Sequence, residues 1–227
     1  MARTLFITGT DTGVGKPRVA VALLHDARAC GLRVAGFKPV ASGAMPTFVG
    51  PRNEDALALL DAMDSGADYD AVNPYCFEPP IAPHLAARDD GAVIELPHLD
   101  ATYGRLAEHS DLVVVEGAGG WMTPLSDTLT LADWVGGHGW PVVLVVAMRL
   151  GCLNHALLSA EAIQRRTRLA GWVASMPPPV MDRAEDNLAE LRARLPAPCW
   201  GVLRTDAERL EADDAGLRSW LGAASAG

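Results

Sequence analysis

Cysteine is scarce and scattered: Cys30, Cys76, Cys152 and Cys199 form no C-x-x-C pair and have no histidine ladder beside them, which excludes a disulfide framework and a zinc site. Positive charge is also short. With 19 Lys and Arg against 28 Asp and Glu, the formal charge of −9 excludes a general nucleic-acid or anionic-membrane partner, while leaving room for a local basic pocket around Lys16 and Lys38. No apolar run is long enough to cross a bilayer; the longest, Trp140 to Met148, has Pro141 just inside it and reads as a buried strand. The N-terminus lacks the charged start, apolar stretch and cleavage site of a signal peptide, so a cytoplasmic location is expected. What is present is an ordinary globular composition, 49% hydrophobic and 21% charged, suited to a single domain over residues 1–222 with a small-residue tail at 223–227 expected to fray.

Along the chain, strand-like and helix-like patterns alternate. Thr4 to Thr8 reads as a strand and Arg18 to Cys30 as a helix stopped by Gly31; Arg33 to Phe37 is a second strand. Ala44 to Arg52 is a loop, and a short helix begins at Asn53 or Glu54. The proline-rich stretch Asp64 to His84 reads as irregular but ordered by Tyr75 and Phe77. Leu96 to Glu108 is a helix, Asp111 to Glu116 an all-apolar strand closed by an acid, and Gly117 to Gly120 is expected to end it sharply. A short helix from Thr130, a strand Pro141 to Val146, a helix Asn154 to Arg166, strands Leu169 to Ala174 and Pro198 to Leu203, and a helix Asp182 to Leu195 complete the pattern. The alternation implies an α/β fold, a doubly wound, mostly parallel sheet with helices on both faces.

The stretch Gly9-Thr10-Asp11-Thr12-Gly13-Val14-Gly15-Lys16-Pro17 follows the first strand and opens a helix, the outline of a phosphate-binding loop. In such a P-loop, backbone N–H groups wrap the phosphates, the helix N-terminus adds partial positive charge, and a lysine reaches the outer oxygens. Two positions depart from G-x-x-x-x-G-K-[ST]: Thr10 stands for the first glycine and Pro17 for the hydroxyl residue. Proline supplies neither the hydroxyl that binds Mg²⁺ nor an N–H for phosphate. The bland alternative is a glycine-rich turn with a solvated lysine.

Lys16, Lys38 with Ser42, and Glu116 all fall at the carboxyl ends of predicted strands, which share one edge of a parallel sheet, the edge at which ligands sit. A carboxylate closing a buried strand suits Mg²⁺ beside phosphates. Asp55 is a second candidate ligand, with helix capping as its alternative role; Lys38 is either a phosphate-site cation or a surface lysine. His84 and His155 read as structural.

Gly9 to Lys16, Lys38-Pro39-Val40-Ala41-Ser42-Gly43, Asn73-Pro74-Tyr75, Ala82-Pro83-His84, Val115 to Trp121 and Leu150 to His155, in that order, resemble the dethiobiotin synthetase family. The resemblance makes Thr10 a family variant. It implies a homodimeric, Mg²⁺- and ATP-dependent ligase of biotin synthesis that closes a cyclic urea on 7,8-diaminopelargonate with CO₂. Lys16 and Lys38 would neutralise phosphate and carbamate, with Ser42 on the substrate amine or carbamate. Thr12, Gly13, Val14, Gly15, Lys16 and Pro17 would wrap the nucleotide, with Gly117, Ala118 and Gly119 close by. Asp55 and Glu116 would hold Mg²⁺. Leu150, Leu153 and Asn154 would reach across a dimer interface to complete the substrate pocket that Thr12, Lys38 and Gly119 also line. Against the family, Pro17 replaces a threonine, Ser175 falls where an adenine-reading Asn is usual, and Arg204 where a proline is. Weakened ATP binding and use of other nucleoside triphosphates follow. The competing readings are a degenerate nucleotide-binding homologue disabled at Pro17, and a P-loop switch ATPase.

Overall fold

A computed structural model describes residues 2–63, 66–212 and 216–222; the predicted tail at 223–227 and the first residues of the proline-rich stretch, 64 and 65, lie outside them. In chain order the elements are β1 (Arg3–Gly9), α1 (Lys16–Ala29), β2 (Val34–Phe37), β3 (Val40–Ser42), α2 (Glu54–Ala62), α3 (Tyr69–Val72), β4 (Tyr75–Phe77), α4 (Pro83–Asp89), α5 (Leu96–Glu108), β5 (Leu112–Gly120), α6 (Leu131–His138), β6 (Val142–Ala147), α7 (Cys152–Gln164), β7 (Leu169–Ser175), α8 (Ala184–Arg194), β8 (Cys199–Leu203), β9 (Glu211–Ala212) and α9 (Gly216–Gly222). The main sheet has the order β2-β5-β1-β6-β7-β8-β9 and is parallel except for β9, which runs against β8. Helices cover both faces of the parallel part, so β1, β5 and β6 are buried along most of their length, as strands sealed on both sides must be.

Two features of the main sheet place the site. The chain reverses its direction of growth between β1 and its neighbours, β5 on one side and β6 on the other, and the loops after β1 and β5 open there. Glu116 pairs with Ile7 on the last regular rung of β1 and β5; beyond it the register slips, so that Gly9 pairs with Gly120. The residues after Glu116 therefore continue β5 through an irregular rung rather than ending it, contrary to the sharp stop expected. Gly117 is there for packing, since a Cβ would lie 2.7 Å from Phe6 Cζ.

The stretch expected to be irregular is built. β3 and β4 pair in parallel as a second, two-stranded sheet, Val40 with Tyr75 through Ser42 with Phe77, with α3 before β4 and α4 after it. Helix starts differ from the pattern in both directions: α8 begins two residues later than expected, at Ala184, while α1 and α7 each begin two residues before the apolar stripe suggests. Both open from a left-handed glycine, Gly15 at φ 94° and Gly151 at φ 95°, with no capping side chain. By contrast α6 is announced by a capping box between Thr130 and Asp133. Among the described residues no helix is long and apolar enough to cross a membrane.

Candidate active site

A cleft of about 580 Å³ opens at the carboxyl edge of the main sheet. Its floor is the phosphate loop and the end of β5; its far wall is β3 with the Pro80–Pro83 segment ahead of α4. Gly15 holds the loop in a conformation closed to other residues, and a Cβ on it would also meet Ser175 Oγ at 2.7 Å. Lys16, the first residue of α1, turns back across the loop and donates from Nζ to the Asp11 carbonyl at 3.1 Å. Pro17 sits at the start of the helix, where its lack of an N–H breaks no intrahelical bond. The first helical bond, Val19 N–H to the Gly15 carbonyl, is intact at 3.1 Å.

Across the cleft Lys38, extended ahead of Pro39, donates from Nζ to Glu116 Oε1 at 2.5 Å and to Asp55 Oδ2 at 2.7 Å. Glu116 has no exposed side-chain surface, and its other oxygen, Oε2, is buried with no hydrogen-bond partner. Asn53 caps α2 by accepting from the N–H groups of Asp55 and Ala56, which fixes the turn carrying Asp55. Burial opposes charge on Lys38, but the pull of Glu116 and Asp55 outweighs it and raises its pKa. Burial pushes the Glu116 carboxyl above its usual range, against the pull of Lys38. Lys16 lacks a carboxylate in contact, and burial lowers its pKa to about 8.

Two carboxylates, one with a buried unpartnered oxygen, fit Mg²⁺, which takes one or two protein carboxylates and completes its shell with phosphates and water. Accordingly, no group of three or more His, Cys, Asp or Glu suited to a metal occurs among the described residues.

The cleft gathers Thr12, Gly13, Gly15, Lys16, Pro17, Lys38, Ser42, Asp55, Glu116, Ala118 and Gly119. Val14 and Gly117 face the core instead, and Ser175 is buried behind the loop against Gly15. Arg204 is exposed and held by Glu211 at 2.8 Å, while Arg18 donates to the Arg204 and Ala207 carbonyls, laying that loop over the start of α1. Leu150, Leu153 and Asn154 sit outside the cleft at the start of α7, Leu150 being 96% exposed. Arg149 ties them to the phosphate loop through Asp11 at 2.5 Å. The sequence pattern does not single out Asn53, Thr123 or the Pro80–Pro83 wall as cleft residues. One compositional signal does mark the site: the chain has 17 arginines and only two lysines, and both lysines are buried here.

A family model described as an AAA domain matches residues 3–208. The chain is 54% identical over 198 residues to the ATP-dependent dethiobiotin synthetase BioD of Pseudomonas paraeruginosa, covering 86% of this chain and 87% of that one. It is 47% identical over 212 residues to the ATP-dependent dethiobiotin synthetase BioD 1 of Escherichia coli K12, covering 93% and 94%. Among solved structures the fold is similar to the cell division protein FtsY of Thermotoga maritima, with a TM-score of 0.52 at 17% identity over 97% of this chain and 69% of that one. At this level of identity over nearly its whole length, with the phosphate loop, both lysines and both carboxylates in one cleft, the chain belongs to the ATP-dependent dethiobiotin synthetase family.

Proposed function

We propose that residues 1–222 act as one ATP- and Mg²⁺-dependent ligase domain that forms the cyclic urea of dethiobiotin from 7,8-diaminopelargonate and CO₂. The observation that carries this reading is the convergence of the chain's only two lysines on the phosphate loop and on the Glu116–Asp55 carboxylates. A substrate amine takes up CO₂ and loses a proton to give a carbamate, the carbamate oxygen attacks the γ-phosphate and expels ADP, and the second amine displaces phosphate from the resulting mixed anhydride with loss of its proton. Such chemistry needs positioning and charge neutralisation rather than a protein nucleophile. Thr12, Gly13 and Gly15 offer the loop that surrounds the phosphates, and Lys16 neutralises their outer oxygens. Lys38 would meet the carbamate, with Ser42 on the amine or carbamate. Mg²⁺, when bound, adds charge neutralisation at the phosphates, and Asp55 and Glu116 are the residues that would hold it. The cleft walls at Ile81, Ala82 and Pro83 suit an aliphatic chain.

Leu150, Leu153 and Asn154 enter the same reading as the contribution of one subunit of a homodimer to the site of the other. Their support is the exposure of three leucines, Leu150 just before α7 and Leu157 and Leu158 on it. Arg204, on the loop over α1, would add a contact to the base or a phosphate, and Ser175 is too short to read adenine by paired amide contacts. Use of nucleoside triphosphates besides ATP follows.

Pro17 favours one other reading, a nucleotide-binding homologue that has lost phosphoryl transfer. The test is dethiobiotin formation from diaminopelargonate, bicarbonate, Mg²⁺ and each nucleoside triphosphate, for the wild-type chain and Pro17→Thr. Product from the wild type is expected; product from Pro17→Thr alone would establish the degenerate reading, and none from either would overturn the ligase.

A further inference from the structure

Behind the cleft, a buried set of side chains joins the two halves of the Lys38–Asp55 contact. Both backbone polar groups of Lys38 end on the C-terminus of α3 and the residue after it: its N–H donates to the Val72 carbonyl at 2.8 Å, and its carbonyl accepts from Asn73 Nδ2 at 2.7 Å. Asn73 Nδ2 also donates to the Tyr75 carbonyl at 3.0 Å, and Asn73 Oδ1 accepts from the Tyr69 hydroxyl at 2.9 Å. The Tyr69 oxygen in turn accepts from the Asn53 N–H at 2.7 Å, and Asn53 caps the helix that carries Asp55. Arg52 stacks its guanidinium 4.1 Å over the Tyr69 ring. Tyr69, Asn73 and Asn53 are all buried, and Tyr69 and Asn73 do not line the cleft.

The donor and acceptor chemistry allows one arrangement. Two carbonyls can only accept, so the Asn73 amide nitrogen must face them and its oxygen must face Tyr69. The Tyr69 oxygen already takes the Asn53 N–H, so its own hydrogen goes to Asn73, and the Cys76 thiol at 3.3 Å is left to donate to Tyr69. Each member is satisfied in one orientation, the condition under which a buried polar network specifies a geometry instead of merely tolerating one.

We propose that Tyr69 and Asn73 are positioning residues that lock the Lys38 backbone to the start of α2, so that one ammonium meets Glu116 and Asp55 together. The proposal rests on the reading of Lys38 and Asp55 given above. Neither Tyr69 nor Asn73 touches substrate; they act through Lys38 and through Asn53.

The test uses Tyr69→Phe, which keeps the ring and the Arg52 stack and removes one oxygen, and Asn73→Ser, which withdraws the donor to Lys38. Because the chain has two lysines, protein labelled with [¹⁵N]lysine gives two backbone amide signals, one from Lys16 and one from Lys38. In the free protein both variants should shift the Lys38 amide and speed its hydrogen exchange, with the Lys16 amide unmoved. In turnover, kcat should fall by about 10- to 100-fold, the scale of lost outer-shell support. KM for ATP should change by less than about 2-fold, since the phosphate loop is untouched. Lys38→Met is assayed beside them. If Lys38→Met turns over like the wild type, the reading of the site fails and the proposal with it. If Lys38→Met is inactive while both network variants keep wild-type kcat, the proposal alone is overturned; a fall in kcat with an unmoved Lys38 amide overturns it too.

Discussion

Lys38 Nζ and Glu116 Oε1 lie 2.5 Å apart with almost no solvent on either side chain, and the second oxygen of that carboxylate has no partner. The pair is a balance of charges in which each member is tolerated because of the other. Removing one of them should therefore be more damaging than removing both.

Lys38→Met should leave Glu116 buried and uncompensated, at a cost of about 3–5 kcal/mol. Glu116→Gln in the same chain should restore much of that stability, because a neutral amide has no charge to strand. Dethiobiotin formation should stay absent in both. Urea unfolding of the two single variants and the double variant checks this: additive losses would show that the two groups are not energetically coupled.

Lys16 carries a pH dependence with two opposite signs. Its pKa is lowered by burial from 10.5 to about 8, so between those values the unfolded chain holds a proton that the folded chain has released. Over that window its contribution to stability rises with pH. Nucleotide binding goes the other way, since the phosphates need the charged form. Affinity for ATP should fall as pH rises above about 8, by at most about tenfold per pH unit, with uptake of a proton on binding. Calorimetric titration at pH 8.5 in two buffers of different ionisation enthalpy measures that uptake. Lys16→Met should show none.

A feature is legible in the sequence where it is local. Lys16, Lys38 and Glu116 each follow an apolar run, so the sequence places them at strand ends without any knowledge of contacts. The pattern sets the starts of α1 and α7 two residues late because Gly15 and Gly151 open them through backbone geometry, leaving no capping side chain to read. β3 and β4 have three residues each, too few for a period, and each is held by a partner about 35 positions away. For the same reason the roles of Tyr69 and Asn73 are invisible in the pattern: their hydrogen bonds reach back to Asn53 and Lys38.

The contact between Gly15 and Ser175 can be separated into two costs. Gly15→Ala meets a left-handed backbone at φ 94°, worth about 1–2 kcal/mol, and an overlap with Ser175 Oγ at 2.7 Å. Ser175→Ala removes the overlap, leaving only Ser175 Cβ at 3.5 Å. Gly15→Ala should thus be less destabilising in the Ser175→Ala background than alone, while ATP binding stays weak in both because the loop backbone is strained in either case. Thermal unfolding with and without ATP checks both parts. Equal destabilisation in the two backgrounds would mean that the loop and the end of β7 relax apart.

Pro17 should be neutral for the fold and costly for the ligand. At the start of α1 a proline forfeits no helical hydrogen bond and its fixed φ suits the first turn, so Pro17→Thr should change stability by less than about 1 kcal/mol. The same substitution returns an N–H and a hydroxyl to a position lining the cleft. Each charge-assisted hydrogen bond regained is worth about 1.5–3 kcal/mol, so KM for ATP should drop by about tenfold or more. The drop should be larger in Mg²⁺ than without it if the hydroxyl serves the metal, and independent of Mg²⁺ if the N–H alone matters. Nucleotide binding by calorimetry, with and without the metal, distinguishes the two, and a large stability change with unaltered affinity would put the role of position 17 in the helix instead of the cleft.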